Sequence, residues 1–198
     1  MSTARLVRDH VARMPERSFV FSSELQAPPH AVDCEFARLV DRNELLRVRK
    51  GLYWKGPRTR AGIPAPRPMQ VGLEVAGDGA GPAEFSAAAA LGLTSQVPSV
   101  DVVAVAGRPP TPPQGVQFVS RSVERRIRKL RFLEVAVIEV LRDGLRFAEA
   151  DWESAVAALA QLAAKGEIRL PTIAEQIHDE HHADARARWQ RLEELLQA

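Results

Sequence analysis

An α+β fold in two domains is what the 198-residue sequence predicts, and three observations carry it. Alternating apolar and charged residues at 46–49 have the two-residue period of a half-buried strand, and an apolar run at 100–107 reads as a second strand region. Helical periodicity fills most of the remainder. The charge also divides: residues 1–69 hold 13 Lys/Arg against 7 Asp/Glu, whereas residues 70–198 hold 14 against 18. A basic first half beside an acidic second half points to a polyanion binder in the first. The segment between them, GPRTRAGIPAPRPMQ (56–70), is rich in proline and without apolar periodicity, as expected of a linker. The expected domains are therefore 1–55 and 71–198.

From the N-terminus, Thr3 is placed as the cap of a helix running to about Met14, with Leu6, Val7, His10, Val11 and Met14 on one face and Pro15 ending it. Phe19–Phe21 form a short apolar run. Ser22 or Ser23 caps a brief helix holding Glu24 and Leu25, and a longer helix starts near Pro29, where proline is tolerated, and runs to Arg42. Projection at the helical period puts Val32, Phe36, Leu39, Val40 and Asn43 toward the core. His30, Ala31, Cys34 and Arg38 lie opposite, with Asp41 and Arg42 at the edge. Next, Leu46 and Val48 alternate with Arg47 and Arg49. Gly51 supplies the positive φ of a tight turn, and Leu52, Tyr53 and Trp54 run back. Helix, strand, helix, turn, helix, hairpin is the order of a winged helix-turn-helix.

In that arrangement the exposed side of the longer helix enters a major groove, with Arg38 paired to guanine and His30 reaching a base edge or phosphate. Arg47, Arg49 and Lys50 on the hairpin meet phosphates beside it. Ser22, Ser23, His30, Ala31, Cys34, Arg38, Arg42, Arg47, Arg49 and Lys50 are the expected contacts to double-stranded DNA. The competing reading is an interaction module that offers the same surface to an acidic protein. Salt dependence separates the two.

In the second half, residues 82–98 read as an alanine-rich helix closed by Gly92. Strands 100–107 and 116–120 flank a proline-rich loop and are expected to pair as a hairpin-like ribbon. Helices follow from Leu133 to Leu141, from Asp151 to Gly166, from Thr172 with Glu175 in capping-box position, and through Leu196. The run RSVERRIRKLR gathers Arg121, Arg125, Arg126, Arg128, Lys129 and Arg131, which read either as a second phosphate surface or as a docking site for an acidic partner.

Several chemistries are excluded by what they require. HDEHH (178–182) spaces His178 and His182 four apart, yet it is not HExxH and has too few further ligands, so the expectation is a solvent-facing helix and no metal. Trp152 and Trp189 sit in apolar stripes and are expected in the core. A nucleotidyltransferase needs paired carboxylates two apart after a Gly-Ser turn, and here Val103 stands where the partner of Asp101 belongs. No P-loop or nucleophile elbow occurs. The expectation is a protein with neither catalysis nor cofactor. The single Cys34, the lack of a signal-type leader and the lack of an apolar run near the ~20 residues a bilayer needs place it in the cytoplasm, away from membranes.

Taken together, SSEL, RLVDRNELLRVRKGLYW, ALGLTSQVP, VAVAGRPP and GVQFVSRS resemble the AbiEi-like antitoxins of bacterial type IV toxin-antitoxin systems, over about residues 3–145. The resemblance implies a DNA-binding autorepressor joined to an antitoxin domain and encoded beside a nucleotidyltransferase-like toxin. A stand-alone regulator without a toxin is the alternative it leaves open.

Overall fold

The computed structural model describes residues 2–197. It is mixed α+β, in two units, Met1–Arg67 and Pro68–Ala198.

In the first unit, helix α1 (Thr3–Arg13) is capped by Ser2, whose side chain accepts from the Arg5 amide, one residue earlier than Thr3. Strand β1 (Ser18–Phe21), a 3-10 turn (Ser22–Glu24), helix α2 (Pro29–Asp41) and strands β2 (Leu46–Arg49) and β3 (Leu52–Lys55) complete it. The strands form an antiparallel sheet in the order β1-β3-β2. Val7, Val11, Val20, Val32, Phe36, Leu39 and Tyr53 make the core, with the Phe36 and Tyr53 rings stacked at 4.4 Å. Lys55, a cation of the hairpin, turns inward: its Nζ donates to the carbonyls of Val11 (2.6 Å) and Met14 (2.5 Å), orphan acceptors at the end of α1.

The expected linker belongs to both units. Gly56 lies buried where an added Cβ would overlap Trp54 and Ile63, and Thr59 and Gly62 close a small turn, so residues 56–67 lie on the first unit. Residues 68–70 open helix α3 (Pro68–Ala76), with proline in its first turn.

The second unit places strand β5 (Asp101–Ala106) at the centre of a three-stranded sheet, between β4 (Gly81–Pro82), antiparallel to it, and β6 (Val116–Arg121). Pairing of β5 with β6 is parallel, which corrects the expected ribbon. Residues 107–115 include four prolines, and an extended proline-rich chain rises about 3.1 Å per residue. Nine such residues are long enough to run back along the strand, which rises about 3.3 Å per residue, so no crossover helix is needed. Val103 and Val105 face a cluster with Ala76, Ala80 and Val116, and Val102 and Ala104 face the main core. The main core is built from helices α4 (Glu84–Ala90), α6 (Phe132–Asp143), α7 (Trp152–Ala164), α8 (Leu170–Asp179) and α9 (Ala183–Gln197), and it includes Trp189 with Trp152 packed against it. A one-turn helix, α5 (Glu124–Ile127), links β6 to α6.

Capping is partly as expected. Asp151 accepts from the Ser154 amide at 2.9 Å and opens α7. Thr172 does not open α8; the helix begins at Leu170 with Arg169 as its cap, and Thr172 lies inside the first turn.

Candidate nucleic-acid interface

Helix α2 buries Val32, Glu35, Phe36 and Leu39 and leaves His30, Cys34 and Arg38 exposed. Ala31 is half-buried at its start, and Arg42 is the exposed C-cap. Two placements differ from the projection. Asn43 lies beyond the helix at φ 54, exposed, since asparagine tolerates the left-handed conformation that ends the turn. Glu35 is a buried carboxylate on the core-facing side, gripped by Arg8 from α1 at 3.4 Å and by Arg38 at 3.0 Å.

That ion pair changes what Arg38 offers. Its Nη1 donates to Glu35 Oε2, and the side chain remains 63% exposed. One guanidinium nitrogen is occupied by Glu35, the carboxylate that also pairs with Arg8 of α1. The spacing i, i+3 within a helix was readable in the sequence, but the burial of Glu35 was not.

The hairpin holds its cations outward as the alternation predicts: Arg47, Arg49 and Lys50 are exposed, while Leu46 and Val48 turn half inward. A bulge between Arg47 and Arg49 shifts the register against β3. Gly51 at φ 76 forms the turn with Lys50. The Ser22 amide donates to the Gly51 carbonyl at 2.9 Å, tying the hairpin tip to the start of the 3-10 turn. Ser22 is thus half-buried against the tip, and neither it nor the exposed Ser23 caps the turn, whose N-cap is Phe21.

Between α2 and the hairpin lies a groove of about 260 Å³ with Tyr53 at its wall and Asp33, Asp41, Arg47 and Lys50 around it. Burial pushes the Tyr53 hydroxyl above its ordinary pKa, Arg47 works against the shift and Asp33 adds to it. Cys34 Sγ sits 3.8 Å from His30 Nδ1 on the exposed side of the helix. Chemically the surface offers guanidinium and ammonium groups for phosphates. It also offers carboxylates at Asp33 and Asp41, which repel phosphate and can accept from a cytosine amino group.

The run 121–131 does not form one cationic surface. Arg125 is 0% exposed: Nε donates to Glu180 and Nη1 to Glu139, both at 2.7 Å. Arg121 clamps Glu139 through Nε and Nη2, Arg142 donates to Glu180 at 2.5 Å, and Arg128 pairs with Asp179 and Gln176. Burial alone would raise the Glu139 and Glu180 pKa values, yet the surrounding guanidinia hold both carboxyls below the usual range. Arg121, Arg125 and Arg128 are therefore spent inside the unit, correcting their reading as phosphate contacts. Arg126, Lys129 and Arg131 remain exposed.

HDEHH is also not one helical face. Helix α8 ends at Asp179 and Glu180 is its buried C-cap, so His178 and His182 lie on either side of the helix end. His182 Nδ1 accepts from the Ala185 amide at 3.1 Å at the start of α9. No helix among the described residues is long and apolar enough to cross a membrane.

No family model matches the chain, and no curated protein matches it. A solved structure similar to it is the RV2827C protein from Mycobacterium tuberculosis, at 17% identity and a TM-score of 0.46, covering 98% of this chain and 76% of that one. A likeness that distant carries no argument.

Proposed function

We propose that the first unit is a winged helix that binds double-stranded DNA, and that the chain is a transcriptional autorepressor with an antitoxin second unit, acting in the cytoplasm without catalysis or cofactor. One observation carries the DNA reading. The exposed side of α2, with His30, Arg38 and Arg42, belongs to the same small unit as a hairpin whose outward positions are Arg47, Arg49 and Lys50. Helix α2 enters the major groove and the hairpin sits on the flanking phosphates. Cations on a rigid hairpin set the register, and side chains on the helix discriminate bases.

The antitoxin role rests on the sequence resemblance and pairs the protein with a nucleotidyltransferase-like toxin. The alternative is a stand-alone regulator. Selection from random duplexes followed by anisotropy titration at several salt concentrations tests the DNA reading. The expected result is one enriched sequence bound with a steep salt slope. Binding with no enrichment and a flat slope overturns it. Growth rescue on co-expression with the toxin encoded beside it tests the second role, and failure of a folded, expressed chain to rescue favours the stand-alone regulator.

A further inference from the structure

Helix α5 is one turn long, too short to persist by itself in water. It is held from beneath. Arg125, at its centre, is locked on Glu139 and Glu180, Leu130 just after it is buried, and Gly79 sits so close to the Arg125–Arg126 backbone that an added Cβ would overlap it. This anchored turn presents aliphatic side chains outward. Val123, helical in conformation at φ −65 and ψ −22, and Ile127 lie one turn apart on the same side and are 50% and 68% exposed. Arg126 lies between them in sequence, and Lys129 and Arg131 follow, all exposed. Arg126 and Arg131 each spend one nitrogen on a backbone carbonyl, of Ala106 (2.9 Å) and Gly166 (3.1 Å), which steadies the guanidinium and leaves its other N–H groups available.

We propose that the outward face of α5, Val123 and Ile127 with Arg126, Lys129 and Arg131, is a docking surface for a protein partner that presents an apolar stripe rimmed by carboxylates. This is independent of the DNA reading of the first unit. The choice of partner follows from the sorting of the basic run. With Arg121, Arg125 and Arg128 neutralised internally, three outward cations remain beside two exposed aliphatic side chains. Aliphatic groups gain little against a phosphate backbone, whose interfaces are polar and strongly cationic. They gain on burial against another protein, where an apolar centre with arginine is the common composition. The local excess of positive charge selects an acidic rim and speeds encounter. The turn is already ordered, so docking avoids the cost of forming it.

The test uses the full chain and a fluorescent synthetic helical peptide with a leucine stripe flanked by glutamates. Controls are a peptide of the same composition with the stripe scrambled, poly-glutamate, and a random DNA duplex. The striped peptide is expected to bind saturably. Ile127→Asp is expected to weaken it by about tenfold or more and Ile127→Val to leave it nearly unchanged, while Arg126→Glu weakens it and removes part of its salt dependence. Because Ile127 is exposed, circular dichroism melting of both Ile127 variants should match the parent, and Arg126→Glu, which also loses its bond to the Ala106 carbonyl, is titrated well below its own melting temperature. Three results overturn the proposal: no binding of the striped peptide, equal binding of the scrambled peptide or poly-glutamate, or duplex binding that depends on Arg126 and Lys129 and is indifferent to Ile127→Asp.

Discussion

Two basic stretches of similar composition, the hairpin with its flanking helix and the run at 121–131, meet opposite fates in the fold. On the hairpin, Arg47, Arg49 and Lys50 are exposed, the first two on the outward side of a two-faced strand and Lys50 at its turn. In the run, Arg121 and Arg125 are drawn inside by Glu139 and Glu180, and Arg128 is held by Asp179. The difference lies in what surrounds each stretch. The hairpin belongs to a small unit whose one buried carboxylate among the described residues, Glu35, is already matched by Arg8 and Arg38. The run crosses a larger acidic unit in which buried glutamates on α6 and at the end of α8 need counter-charges. Density of cations in a sequence therefore does not by itself mark a polyanion site; the buried carboxylates elsewhere in the same unit decide.

The comparison breaks most visibly if the inner network proves dispensable. Glu139→Ala leaves Arg125 buried without one of its two carboxylates, and removing one member of a buried ion pair typically costs about 3–5 kcal/mol. Urea denaturation followed by tryptophan fluorescence is expected to show that loss, and an unchanged midpoint would mean that the buried charges carry no weight.

On the other side of the comparison, Arg38→Ala is expected to cost about 1–3 kcal/mol of DNA affinity at one base pair only. Glu35→Gln should blur the same position by releasing Arg38, while Arg38→Lys restores part of the charge but not the fork. Titrations against single-base variants of the selected duplex read this out. A uniform loss over all duplexes would make Arg38 a phosphate contact instead.

A smaller effect belongs to the hairpin. Arg47→Ala or Lys50→Ala is expected to weaken every duplex alike and to lower the salt slope by about one unit each. Loss of preference at a particular base pair in these variants would erase the division between hairpin and helix.

The smallest expected effect concerns acidity in the second unit. Glu139 and Glu180 are held below the ordinary carboxylate range, so their contribution is present above the unfolded value of about 4.3 and is lost as pH falls through their depressed values. Asp143 runs the other way. Burial, and then the charge of Glu139, raises its pKa, so its contribution is favourable in acid and lost as pH rises through the raised value. Asp143→Asn is therefore expected to melt slightly higher than the parent at neutral pH, with the gap closing below about pH 4. A gap that stays constant with pH would show that Asp143 titrates alike in the folded and unfolded chain, against the raised value.

By itself the sequence determined whatever depends on neighbours a few residues away. The helix from Pro29 and the outward cations at 47 and 49 follow from period, the turn at Gly51 follows from backbone freedom, and the start of α7 follows from Asp151 and Ser154, three positions apart in one local motif. Local rules also left visible the charge step that separates the two units. Only the tertiary structure decided where distant groups meet: Lys55 on the end of α1, 44 residues from Val11; Arg125 between carboxylates 14 and 55 residues away; and β6 lying parallel to β5 rather than folding back on it. Helix α3 also escaped, because its first turn is hidden in a proline-rich stretch and its apolar residues pack on β5, a surface that exists only after the sheet forms. The physical reason is common to all of these. A side chain's period fixes its face, but a buried charge or strand is placed by the desolvation it must offset, and the partners that offset it come from anywhere along the chain.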